Sequence, residues 1–253
     1  MASLPLARRQ PPEHTLPPVD PLDTRRYMIA IRRLADTLRH GTDRSRFLGS
    51  GLFDTPASMT YASTGTSKYQ IAAQIAGGLA FACLDRVSPV GLLGTGEREL
   101  RVNPSLSKDE VMQWLVKLRT YRVGEKTTLA RRVTELNARM QNRALVFVLS
   151  DMGEEGAVDA RKLMAQVHDV IAIQLVDPAE IDLRGVGFLR AEEAETGEAF
   201  VTHGRRTFSD PEAIGSELRR GGIDHLLVRT DRPFAQNLRM FLKDRAALAG
   251  GRR

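Results

Sequence analysis

The sequence predicts an α/β protein built on a doubly wound, mainly parallel sheet flanked by helices. Three observations carry this. Asp169-Val-Ile-Ala-Ile-Gln-Leu-Val-Asp177 is a near-continuous apolar run, which implies a strand buried on both faces. Ala144 to Ser150 is a second run of the same kind. Around these two, helical and strand patterns alternate along the chain, as βαβ units require.

The elements follow in order. Residues 1–22 hold many of the prolines and lack periodicity, so they read as a flexible tail. Thr24 to His40 places Tyr27, Ile31, Leu34 and Leu38 at helical spacing with arginines on the other face. With the polar, Gly-containing loop after it, this N-terminal helix makes up residues 23–45. The main domain is then 46–253. Its first strand is Phe47 to Phe53, a weak one because Gly49 and Gly51 interrupt it. Ser67 to Leu84 is a long helix rich in Ala and Ile. Pro89 to Thr95 and Glu99 to Val102 read as two strands joined by a short turn. Ser107 and Glu110 form a capping box, which starts a helix over 107–119 carrying Val111, Trp114, Leu115 and Leu118. Helices are expected at Thr128 to Met140 and Val158 to Val167. A hairpin is expected at Gly187 to His203, with Thr196-Gly197 near its tip. Pro211 to Gly221 reads as a helix, Asp224 to Arg229 as a strand and Pro233 to Ala249 as the last helix.

Composition narrows the function. The chain has 253 residues, 42% hydrophobic and 27% charged, as in globular proteins. Apolar runs are too short to span a bilayer, and the N-terminus lacks the apolar core of a signal peptide, so a cytoplasmic location is expected. The single cysteine, Cys83, excludes an internal disulfide and lies within an apolar helix pattern. Net charge is +6, but the paired arginines are scattered and aromatics are only 6%, which argues against a stacking platform for single-stranded nucleic acid. Gly124-Glu-Lys-Thr-Thr lacks the glycines of a phosphate loop, and no Gly-x-Ser-x-Gly elbow occurs. No two histidines lie four residues apart, so a helical histidine metal site is unsupported.

One constellation remains. In Leu52-Phe53-Asp54-Thr55-Pro56-Ala57-Ser58 an apolar run meets an acid, and a hydroxyl follows on the next loop. Both are hard oxygen ligands of the kind Mg2+ takes, and ligands in open α/β sheets sit outside the carboxyl ends of strands. Asp151 ends a second apolar run, and Thr127-Thr128 offers hydroxyls just before a helix. In that order these residues resemble the metal-ion-dependent adhesion site of von Willebrand factor A domains.

The stretch from Thr24 to Phe241 resembles a bacterial von Willebrand factor A-like family of unknown function, associated with MoxR-type AAA ATPases. The match is carried by His40-Gly41-Thr42-Asp43, Gly49-Ser50-Gly51, Asp54 to Met59, Ser67-Lys68-Tyr69, Ser150-Asp151, Asp169 to Pro178, Gly222-Ile223-Asp224-His225 and Thr230-Asp231. The resemblance implies a Rossmann-type fold and a metal site made by Asp54, Ser58, Thr127 and Asp151, with Thr128 in reserve for Thr127. Mg2+ is the favoured ion, because a few protein oxygens plus water suit its octahedral shell, and the resemblance implies a MoxR-type AAA ATPase as the partner. Two departures weaken the site. Pro56 stands where the pattern Asp-x-Ser-x-Ser has a hydroxyl, and the segment that precedes the metal strand in the family is missing. The function expected is a non-enzymatic protein-interaction module acting in chaperone-like maturation. Its rivals are a metal-dependent hydrolase on the same acids and a basic nucleic-acid-binding protein.

Overall fold

The computed structural model describes residues 21–38, 49–53, 57–60, 62–95, 100–118, 131–135, 142–153, 157–181, 188–192, 199–203 and 210–250. Residues 1–20 of the expected tail, residues 39–48, the tip of the hairpin at Thr196-Gly197, and most of the helix expected at Thr128 to Met140 lie outside these residues.

The fold is mixed α/β. Helix α1 (Pro21–Leu38) is followed by strand β1 (Gly49–Phe53), a short 3-10 turn (Ala57–Thr60) and helix α2 (Lys68–Leu84). Strands β2 (Val90–Gly94) and β3 (Arg101–Ser105) and helix α3 (Lys108–Leu118) come next. A helical segment α4 (131–135) precedes β4 (Leu145–Ser150). Then come α5 (Ala157–Ala165), β5 (Asp169–Val176), the single turn α6 (Pro178–Ile181), and β6 (Phe188–Glu192) with β7 (Ala199–His203). Helix α7 (Pro211–Arg220), β8 (Asp224–Arg229) and α8 (Ala235–Gly250) close the chain.

The main sheet has six strands in the order β3-β2-β1-β4-β5-β8. All its pairings are parallel except β2 with β3. β6 and β7 form the expected hairpin as a separate antiparallel pair. β1 is central despite its glycines: Gly49 to Phe53 pairs in register with Val90 to Gly94 on one side and Leu145 to Leu149 on the other.

Alternation along the central strands sorts the core into two faces. Leu145, Phe147 and Leu149 of β4, with Ile171, Ile173 and Leu175 of β5, join a cluster with residues of α1, α2, α3 and α8. Val146, Val148, Val170 and Ala172 join the opposite cluster with Val133 of α4, Met164 of α5 and Leu218 of α7. Both faces are covered, so these strands are apolar at nearly every step. α1 packs closely on α2 because Gly77 and Gly78 leave room. A Cβ on Gly78 would come within 2.6 Å of Leu34, and one on Gly77 within 2.9 Å of Ile31. Among the described residues, no helix is long and apolar enough to cross a membrane.

One polar pair is set within this apolar frame. Gln174 of β5 is buried, and its Oε1 lies 2.9 Å from Nε2 of His225 on β8. Nδ1 of His225 faces the Arg219 guanidinium at 3.4 Å. Arginine only donates, so Nδ1 accepts and Nε2–H donates to Gln174; the ring is neutral. Burial, then Arg219, lowers its pKa to about 4. The stability this neutral ring contributes is complete above the unfolded value near 6.5 and is lost as pH falls toward 4, where the unfolded chain binds the proton first. Urea unfolding should therefore weaken between these pH values, and His225→Gln should flatten part of that slope. His168, lowered by burial and by Arg143, acts in the same direction and keeps the remainder.

Candidate functional site

The carboxyl ends of β4, β5 and β8 meet one loop, residues 62–67, that leads into α2. Ser67 caps that helix. Its Oγ accepts the N–H of Gln70 at 3.2 Å, and its own N–H donates to Gln70 Oε1 at 3.0 Å. This reciprocal cap fixes the direction in which Lys68, the next residue, leaves the backbone. Lys68 is 0% exposed, the one charged side chain buried in an otherwise apolar helix. Its Nζ donates to Asp151 Oδ2 at 2.8 Å and to Glu180 Oε1.

Asp151 is aimed by the turn behind β4. Ser150 Oγ accepts the N–H of Met152 at 2.9 Å, and Asp151 Oδ1 accepts that of Gly153 at 3.2 Å. Met152 adopts a left-handed φ of 66°, a conformation that L-residues other than Asn and Asp rarely take, while its side chain packs into the core. Such strain at the tip of a strand is typical of places where a side chain is held for use. Ser58 also donates its hydroxyl to Asp151. Burial opposes the charge on Asp151, but Lys68 and these donors outweigh it and hold the carboxyl below its usual range. Lys68 shows the same balance: burial disfavours the ammonium, and Asp151 with Glu180 outweighs it, so its pKa is raised. With two carboxylates on one ammonium, Glu180 is the one pushed up, by burial and by Asp151.

A second node adjoins the first. Asp177, after β5, is 3% exposed. It accepts from the N–H of Ser63 at 2.9 Å, the Ser63 hydroxyl, the N–H of Ala179 at 3.0 Å and the Thr230 hydroxyl at 3.4 Å. Those donors outweigh burial and keep it ionised at lower pH than a free aspartate. The N–H of Asp177 donates to Glu180 Oε2 at 3.1 Å, which joins the two nodes. The result is one hydrogen-bonded network, Ser58–Asp151–Lys68–Glu180–Asp177, with Ser63 and Thr230, along the carboxyl edge of the sheet.

Of the residues expected to form a metal site, Ser58 and Asp151 are brought into contact. Asp54, Thr127 and Thr128 lie outside the described residues, as does Pro56. Among the described residues, no group of three or more His, Cys, Asp or Glu is placed to hold a metal ion. Sequence reasoning missed Lys68, Asp177, Glu180, Ser63 and Thr230 as parts of the site. Asp177 follows the same rule that singled out Asp151, an acid ending an apolar strand. Lys68 had a weaker signal, one lysine in an Ala- and Ile-rich helix.

The fold and the network together define a mixed α/β protein whose polar groups converge at one end of a parallel sheet. The chain belongs to the family described as "Protein of unknown function DUF58", which matches residues 46–210. It is 28% identical over 142 residues to the uncharacterized protein MAV169 of Mycobacterium avium, covering 51% of this chain and 83% of that one. It is 26% identical over 145 residues to the uncharacterized protein Mb1516 of Mycobacterium bovis, covering 50% of this chain. The uncharacterized protein Rv1480 of Mycobacterium tuberculosis matches to the same extent. For these last two the match spans 44% of the relative's own length.

Proposed function

We propose that this chain is a non-enzymatic protein-interaction module of the von Willebrand factor A-like type. In this reading it docks through the carboxyl edge of its sheet onto a MoxR-type AAA ATPase, in chaperone-like protein maturation. The observation that carries the reading is the contact between Ser58 and Asp151. Two residues far apart in the chain, singled out for one site, share a hydrogen bond where an open α/β sheet binds its ligands. The strand order, with β1 central and the antiparallel β3 at one edge, supports the same class. A hydrolase on these acids has less support. Protein donors take up most of the hydrogen-bonding capacity of Asp151 and that of Asp177, and among the described residues neither His168 nor His225 hydrogen-bonds to the network.

The test is retention of a MoxR-type ATPase from the same genome on the immobilised full chain. Wild type should retain it. Glu180→Ala, which alters the partly exposed member of the network, should reduce retention about tenfold, the equivalent of ~1.4 kcal/mol. Failure of wild type to retain the ATPase, or equal retention by the variant, would remove the proposal.

A further inference from the structure

We propose that the Lys68 ammonium is the resident cation of this site, and that docking at the sheet edge proceeds without a divalent ion. The proposal rests on the docking reading for its second clause only.

A von Willebrand-type site would hold its ion with Asp54, Ser58, Thr127 and Asp151. The described half of that set does not fit the ion. Asp151 Oδ2 takes a proton of Lys68 at 2.8 Å, Oδ1 takes the Gly153 N–H at 3.2 Å, and the Ser58 hydroxyl donates to the same carboxylate. Those donors take most of the carboxylate lone pairs that a hard divalent ion would need. It would also stand a few ångströms from a full positive charge, in a place with little water to screen it. Lys68 cannot withdraw to make room. Its side chain is fully buried, and α2 is fixed at that end by the Ser67–Gln70 cap. Pushing it off Asp151 would leave a buried charge with half its compensation. The sequence is consistent with this, since Pro56 has no hydroxyl to offer an ion.

Function changes accordingly. Metal-bridged capture uses an open coordination position to take a carboxylate from a partner. The Lys68 ammonium gives two of its three N–H groups to Asp151 and Glu180, and because its side chain is 0% exposed it has no such position to give. The partner is then bound by direct contacts with the loops around the network.

The experiment uses the full chain and needs no partner for its first arms. Mn2+ binding is followed by electron paramagnetic resonance, and the melting temperature is compared in chelator and in millimolar MgCl2. Wild type should bind no Mn2+ saturably and melt at the same temperature in both. Lys68→Gln, which removes the charge and keeps a polar end, should melt lower and gain a Mg2+-dependent rise. Saturable Mn2+ binding by wild type that Asp151→Asn abolishes would overturn the proposal. So would a folded Lys68→Gln that gains nothing from Mg2+, because the ammonium would then not be what stands in for the ion. If Lys68→Gln does not fold, the wild-type and Asp151→Asn arms decide alone. In a final arm, ATPase retention should be the same with and without chelator; loss of retention in chelator overturns the second clause. No retention under any condition refutes the docking reading and leaves the metal arms readable.

Discussion

Lys68→Met lowers the unfolding free energy by about 3–5 kcal/mol, the range for removing one partner of a buried ion pair. The lysine is 0% exposed and Asp151 only 11%, so water cannot replace the lost ammonium. Methionine fills much of the same volume and leaves the stem packing nearly intact, so the loss reports on charge. Chemical denaturation followed by circular dichroism measures it. The double variant Lys68→Met/Glu180→Gln should recover part of the loss, because Glu180, 34% exposed, then no longer sets a second negative charge beside Asp151. A single-variant loss below about 1 kcal/mol, within the range of surface pairs, would show that the network does not rely on its cation.

Trp114→Ala has an effect of similar size, about 3–5 kcal/mol, for a different reason. Trp114 projects from α3 into the α2 face with Val111, Leu115 and Leu118, all buried. It borders an apolar cavity of about 30 Å³ with Ala76, Leu79, Ala80 and Phe147. Truncation would merge the indole's space with that cavity. Its lining is almost wholly apolar, so little there would hold a water in place of the lost ring. Trp114→Phe should cost clearly less: it restores most of the ring and also removes an indole N–H that has no hydrogen-bond partner among the described residues. Urea unfolding by far-ultraviolet circular dichroism ranks the two variants. Equal losses would mean that packing volume does not decide stability at this position.

The elements that could be read most closely were those with continuous apolar patterns. β8 falls at Asp224–Arg229 as expected, and β5 at Asp169–Val176 differs by one residue from the run that announced it. Boundaries slipped beside prolines. α1 begins at Pro21 and not Thr24, because the first helical position has no intrahelical use for the N–H that proline lacks. β3 runs to Ser105 through Pro104, which an edge strand tolerates. The glycines of β1 suggested a marginal strand, yet it pairs on both sides; pairing is decided by neighbours that a local window does not include. The same limit hid Lys68. A lone lysine on a helix is ordinarily assigned to water. Its burial depends on Asp151 and Glu180, which come from beyond β4 and β5. Ser58 and Asp151 were legible because acids at strand ends and hydroxyls on adjoining loops leave a local trace.

The segment that matches the family stops at residue 210, before α7, β8 and α8, and begins after α1. β8 covers one side of β5 from Ile171 to Val176, and α1 lies over α2. An expression fragment trimmed to the family's borders would uncover the outer amides and carbonyls of a buried, largely apolar strand, an open template for a second molecule. It would also strip the helix that shields Gly77 and Gly78. Such a fragment is a candidate for inclusion bodies, and soluble preparations should keep residues 21 to 250 together.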